Sequence, residues 1–154
     1  MLGMPSRRLK LLLFSALPLA CTEPLSPNDV AGAYALQRVA GDALPTFLYT
    51  NEYVTVRIFA DTLRLTADGR GTVNTVRESQ PLTGGPTTGP RHAQWAFGFC
   101  VVRDRIEIAF DCPINANCAP PPHIVARTTA EGLRVESALG ARVPQIYTRL
   151  TSIP

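Results

Sequence analysis

Between Gln94 and Cys112 the large apolar side chains fall on every second residue: Trp95, Phe97, Phe99 and Val101, then Ile106, Ile108, Phe110 and Cys112. A period of two is that of a β-strand, whose successive side chains point to opposite faces; on a helix these residues would scatter around the circumference. A two-residue turn at Arg103-Asp104 pairs one apolar set with the other. Slipping the pairing by one residue would set Phe99 against Glu107, so the register is specified by the residues themselves. The same register puts Cys100 beside Glu107, on the face opposite Cys112.

From Gly32 onward similar patterns repeat between turn residues, and long helical patterns are absent. Strands are expected over 33–40, 53–60, 62–66, 71–77, 94–103, 105–112, 124–129, 133–136 and 145–150. Val54, Val56 and Ile58 lie on one parity and Leu63 and Leu65 on the other, which calls for a bulge near Asp61. Asp68-Gly69 and Glu131-Gly132 mark tight turns. Many short strands, each with one buried face, require closure or a second sheet, because open edges invite association. The expected fold is all-β: a small antiparallel up-and-down β-barrel of about eight strands, with a β-sandwich as the alternative.

The N-terminus has a different logic. Arg7, Arg8 and Lys10 precede the apolar run Leu11 to Ala20, a charged head and short hydrophobic segment of the kind that directs export. The run is too short to span a bilayer, which takes ~20 apolar residues. Removing 1–20 as a signal peptide leaves 21–30 as a tether rich in Pro, Ser and Asn, and 31–154 as one domain. It also changes the charge: of 15 Lys+Arg, three leave with the signal, so 12 arginines face 12 Asp+Glu. The mature chain is neutral, without a basic run or an aromatic platform between basic residues, which argues against nucleic acid as a partner.

The segment Leu17-Pro18-Leu19-Ala20-Cys21 resembles the box that directs lipid attachment in bacterial lipoproteins. The resemblance implies cleavage before Cys21, acylation of its thiol and attachment to the cell envelope. Thr22 after the cysteine implies the outer membrane, periplasmic side; a secreted or soluble periplasmic protein is the alternative. Several acyl chains, at ~0.8 kcal/mol per buried methylene, would hold such a protein on the membrane without a spanning helix.

A second resemblance begins at Gly32-Ala33-Tyr34-Ala35-Leu36, which is similar to the opening Gly-x-aromatic strand of lipocalin-like barrels. In that family a basic residue of the last strand packs over the ring near the closed end. The resemblance gives that part to Arg149, in Tyr147-Thr148-Arg149-Leu150, with Tyr34 as the ring. It implies an interior pocket for a small apolar molecule, and the large side chains Tyr34, Trp95, Phe97 and Phe99 are the ligand-binding candidates. A barrel of eight strands can equally be filled by its own side chains.

Export permits disulfides. With Cys21 acylated, Cys112 and Cys118 flank the turn-forming Pro-Ile-Asn-Ala-Asn and form the expected pair; the entropic model gives so small a ring only roughly 2 kcal/mol. Cys100 with Cys118 is the alternative. A zinc site of Cys112, Cys118 and His123 lacks paired Cys-x-x-Cys spacing, so no metal or other cofactor is expected. Catalytic signatures are also missing: there is no Gly-x-Ser-x-Gly, no His-Glu-x-x-His, and Gly84-Gly85-Pro86 has proline where a phosphate loop needs donors. His92 and His123 read as exposed histidines in proline-flanked loops, and Asp61 and Asp68 as bulge and turn residues. The expectation is a monomeric, non-enzymatic envelope lipoprotein that binds a small apolar ligand, or else a protein-interaction or hydrolase-inhibitor module working through its loops. The two long connections, 80–90 and 113–123, are where loops could carry such a role.

Overall fold

The alternation builds a closed barrel. The computed structural model describes residues 25–111, 124–136 and 143–151. After a single helical turn, α1 (Pro27–Val30), come ten strands: β1 (Gly32–Val39), β2 (Asp42–Ala43), β3 (Thr46–Thr50), β4 (Val54–Leu65), β5 (Arg70–Pro81), β6 (Thr88–Val102), β7 (Arg105–Phe110), β8 (Ile124–Thr129), β9 (Gly132–Val135) and β10 (Gln145–Arg149). β4 through β10 form an antiparallel meander, β10 pairs with β1, and β1 closes the barrel on β4. Eight strands thus make the barrel, as expected, and the sandwich alternative is excluded.

The β6–β7 hairpin has the register read from its side chains: Phe97 opposite Phe110, Phe99 opposite Ile108, Val101 opposite Ile106, and Cys100 opposite Glu107. Arg103 takes a positive φ of 61° in the turn. Phe97 and Ile106 are wholly buried, whereas Cys100 is exposed on the outer face with no disulfide partner among the described residues. Cys21, Cys112, Cys118 and His123, with the acylation, disulfide and zinc readings placed on them, lie outside the described residues.

Three features differ from expectation. The segments 53–60 and 62–66 are one strand, β4, whose register shifts between Ile58 and Ala60. The bulge falls just before Asp61 and swings Asp61, Leu63 and Leu65 onto the inner face already held by Val56 and Ile58. Asp61 is therefore a buried interior residue and not a bulge residue. Second, β2 and β3 were not foreseen. They flank the seam where β1 and β4 diverge beyond Ala35, β2 pairing with β1 and β3 with β4, and Leu48 buries its side chain there. Third, much of the connection 80–90 is strand, leaving only 82–87 as a turn; His92 stands exposed on β6 opposite Val76.

The two ends of the barrel are unlike. At one end lie the start of β1, the end of β10 and the tight turns 66–69, 103–104 and 130–131. Val30 of α1 is buried there, and the Tyr34 hydroxyl donates to its carbonyl at 2.7 Å. Ser26 and Asp29 hold the turn of α1, the Ser26 amide and hydroxyl each donating to Asp29 Oδ2 at 2.7 Å. The folded structure thus reaches back into the segment 21–30 assigned to the tether. At the opposite end β4, β5 and β6, of 12, 12 and 15 residues, run on past β7, whose last residue Phe110 pairs with Phe97 near the middle of β6.

Gly71 shows how tightly the interior is filled. It lies opposite Phe97, and a Cβ built on it would collide with the Phe97 ring and approach the Arg64 carbonyl. Phe97 can fill the barrel axis only because β5 has no side chain at that point.

Candidate functional site

Along the inner face of β5, Val73 is followed by Thr75 and then Arg77, and along β4 Leu63 is preceded by Asp61. Toward the end where β4, β5 and β6 run on past β7, this part of the inner wall turns polar, while Ile58 and Val56 keep the neighbouring stretch of β4 apolar. β10 adds Gln145 and Tyr147, both buried. Together these five form a polar cluster above the Phe97 layer.

The cluster borders a cavity of about 40 Å³. Its apolar walls are Leu63, Val73, Phe97, Ile108, Phe110, Ile124 and Val135; its polar lining is Asp61, Arg77, Gln145 and Tyr147. A buried water needs about 10–15 Å³ in this measure, so the space holds roughly three waters. The Phe97 and Phe110 rings, 5.5 Å apart and tilted, form part of its floor. A long lipid or a large ring system does not fit this cavity.

Asp61 is 4% exposed. Its Oδ2 lies 3.8 Å from Arg77 Nη2, and its Oδ1 is buried with no hydrogen-bond partner among the described residues. The register explains the proximity: Asp61 is opposite Thr75 and Arg77 sits two residues further on the same face. Arg77 is held by three groups, donating from Nε to Thr75 Oγ1 at 2.9 Å, facing Asp61, and lying 5.4 Å over the Trp95 ring. Tyr147 donates to Gln145 Oε1 at 3.0 Å.

Burial dominates the electrostatics. Desolvation pushes the Asp61 carboxyl up to about 6, with Arg77, Thr75 and Tyr147 pulling the other way. The Tyr147 phenol is raised well above its ordinary value by burial and by the Asp61 charge.

Of the four ligand candidates read from the sequence, Phe97 alone lines the cavity. Tyr34 is buried at the α1 end of the barrel under Arg149, Phe99 is buried in the core, and Trp95, 36% exposed, lies against Arg77. The basic partner that the lipocalin-like reading gave to Tyr34 is in place: Arg149 lies 5.8 Å over the ring. Asp61, Arg77, Gln145 and Tyr147 were missed as site residues. A signal existed for Asp61, a carboxylate on the same parity as Leu63 and Leu65 and so on a face that must be buried. Among the described residues no group of three His, Cys, Asp or Glu could hold a metal ion. No protein-family model, curated protein or solved structure matches the chain.

Proposed function

We infer that the chain is a non-enzymatic lipoprotein of the cell envelope whose barrel binds a small molecule in the cavity beside Asp61. The observation that carries the reading is the cavity itself, apolar walls from six strands around one buried carboxylate that lacks a full set of partners. Such a combination, a mostly apolar hollow with few convergent polar groups, is the ordinary makeup of a small-ligand site. Its size restricts the ligand to something small. The non-enzymatic part is carried from the sequence reading, which found no Gly-x-Ser-x-Gly and no His-Glu-x-x-His. Attachment to the envelope rests on the export signal and Cys21.

A second reading, a protein-interaction or inhibitor module, is favoured by a separate observation. Tyr53 and Leu82 are 67% and 54% exposed and are joined at the tip of the β4–β5–β6 extension by the Leu82 amide donating to the Tyr53 carbonyl at 3.0 Å. Phe47 on β3 is 64% exposed and carries the Arg57 guanidinium 6.0 Å over its ring. Native mass spectrometry of the detergent-extracted protein separates the two. A small adduct released on activation supports the ligand reading; a stoichiometric protein with no small adduct supports the interaction module and refutes the first.

A further inference from the structure

We propose that the cavity beside Asp61 takes a small organic cation, an alkylguanidinium or alkylammonium head on a short apolar body, and that this head displaces the Arg77 guanidinium from Asp61. The proposal rests on the small-ligand reading and narrows it to a charge class.

The seat is already occupied by a cation of the chain's own. Arg77 places its guanidinium between a buried carboxylate and the face of Trp95, the two groups that recognise organic cations. It satisfies that seat poorly. At 3.8 Å the Arg77–Asp61 contact is longer than a charge-assisted hydrogen bond, and Oδ1 has no donor among the described residues. A buried carboxylate oxygen without a donor is costly, so a ligand that brings donors to both oxygens gains what Arg77 does not supply. Arg77 can also leave: its side chain is 21% exposed and rests on Trp95, itself open to solvent, whereas the Asp61 side chain is 3% exposed.

Other charge classes fit less well. An anion drawn to Arg77 would sit against Asp61 and bury two negative charges together. A neutral donor could hydrogen-bond Oδ1 but would bring no positive charge to the buried carboxylate, and bonds with an ionised donor are the stronger ones. The ligand's body is apolar because the floor beneath the carboxylate is Phe97 and Phe110, and it is short because the barrel axis below is filled by Phe97.

The test is an NMR chemical-shift titration of the full chain in detergent with n-butylguanidinium and with its neutral analogue n-butylurea, on the wild type, Arg77→Ala and Asp61→Asn. Arg77→Met keeps the apolar stem if the alanine variant does not fold. The expected result is that butylguanidinium binds at least tenfold tighter than butylurea, that removing the Arg77 guanidinium tightens it further, and that Asp61→Asn abolishes the difference between the probes. Equal affinity for both probes in the wild type and in the Arg77 variants overturns the cation class while leaving a small-ligand barrel standing. If neither probe shifts the cavity residues of any folded variant, both readings are overturned.

Discussion

The guanidinium of Arg149 lies over the ring of Tyr34, 5.8 Å from its centroid, and donates a hydrogen bond to the Ala31 carbonyl. The two residues are opposite each other in the β1–β10 ladder, so the last strand is fastened across the first at the point where α1 enters the barrel. Tyr34→Phe removes the donor to the Val30 carbonyl and is expected to cost about 1 kcal/mol. In a double-mutant cycle of Tyr34→Ala and Arg149→Ala, a coupling of about 0.5–1 kcal/mol is expected from urea denaturation. Simple additivity would show that the stacking contributes nothing.

Gly71→Ala forces a methyl group into the Phe97 ring at the centre of the barrel. Overpacking of this kind costs roughly 1–3 kcal/mol. The loss is expected in thermal or urea unfolding, and Phe97→Leu in the Gly71→Ala background is expected to recover part of it by vacating the space. A Gly71→Ala protein as stable as the wild type would mean that Phe97 does not occupy the axis.

Stability should depend on pH through Asp61. Its carboxyl titrates at about 6 in the folded barrel against an ordinary value of 3.8, so between these values the folded state holds a proton that the unfolded chain has lost. Folding is therefore penalised as pH rises through this window, by roughly 3 kcal/mol once Asp61 is ionised in both states. The charged or titratable groups acting on it are Arg77 and Tyr147. Asp61→Asn is expected to be more stable than the wild type near pH 8, with the advantage closing below about pH 4. Denaturation midpoints of both proteins across that range check this; a difference that does not change with pH would contradict it.

Lipid attachment has its own test. Cys21→Ser is expected to move the protein from the membrane to the soluble fraction, because a single-site acyl anchor is all that the export signal implies. Unchanged fractionation with the membrane would count against acylation.

What the sequence made legible follows from where its patterns are strong. Phe97, Phe99, Ile106 and Ile108 specify one register, and the β6–β7 hairpin has it. The resemblance to lipocalin-like barrels pairs Tyr34 with Arg149, and the two do meet. β3 escaped notice because Leu48 is its only buried side chain, too few to mark a period. Asp61 was misjudged because the bulge reverses parity just before it: counted from Ile58 it points outward, counted from Leu63 it points in. The site as a whole escaped for a different reason. Its members come from β4, β5 and β10, and only barrel closure puts Asp61, Arg77 and Tyr147 around one hollow.

The most direct measurement is a high-resolution crystal structure of the protein extracted from its own envelope rather than refolded. The account expects a small non-protein molecule in the cavity, in contact with Asp61 and the Phe97 and Phe110 rings, with Arg77 turned away from the carboxylate. A cavity holding only water, with Arg77 still against Asp61 and a partner protein seated on Tyr53 and Leu82, would contradict it.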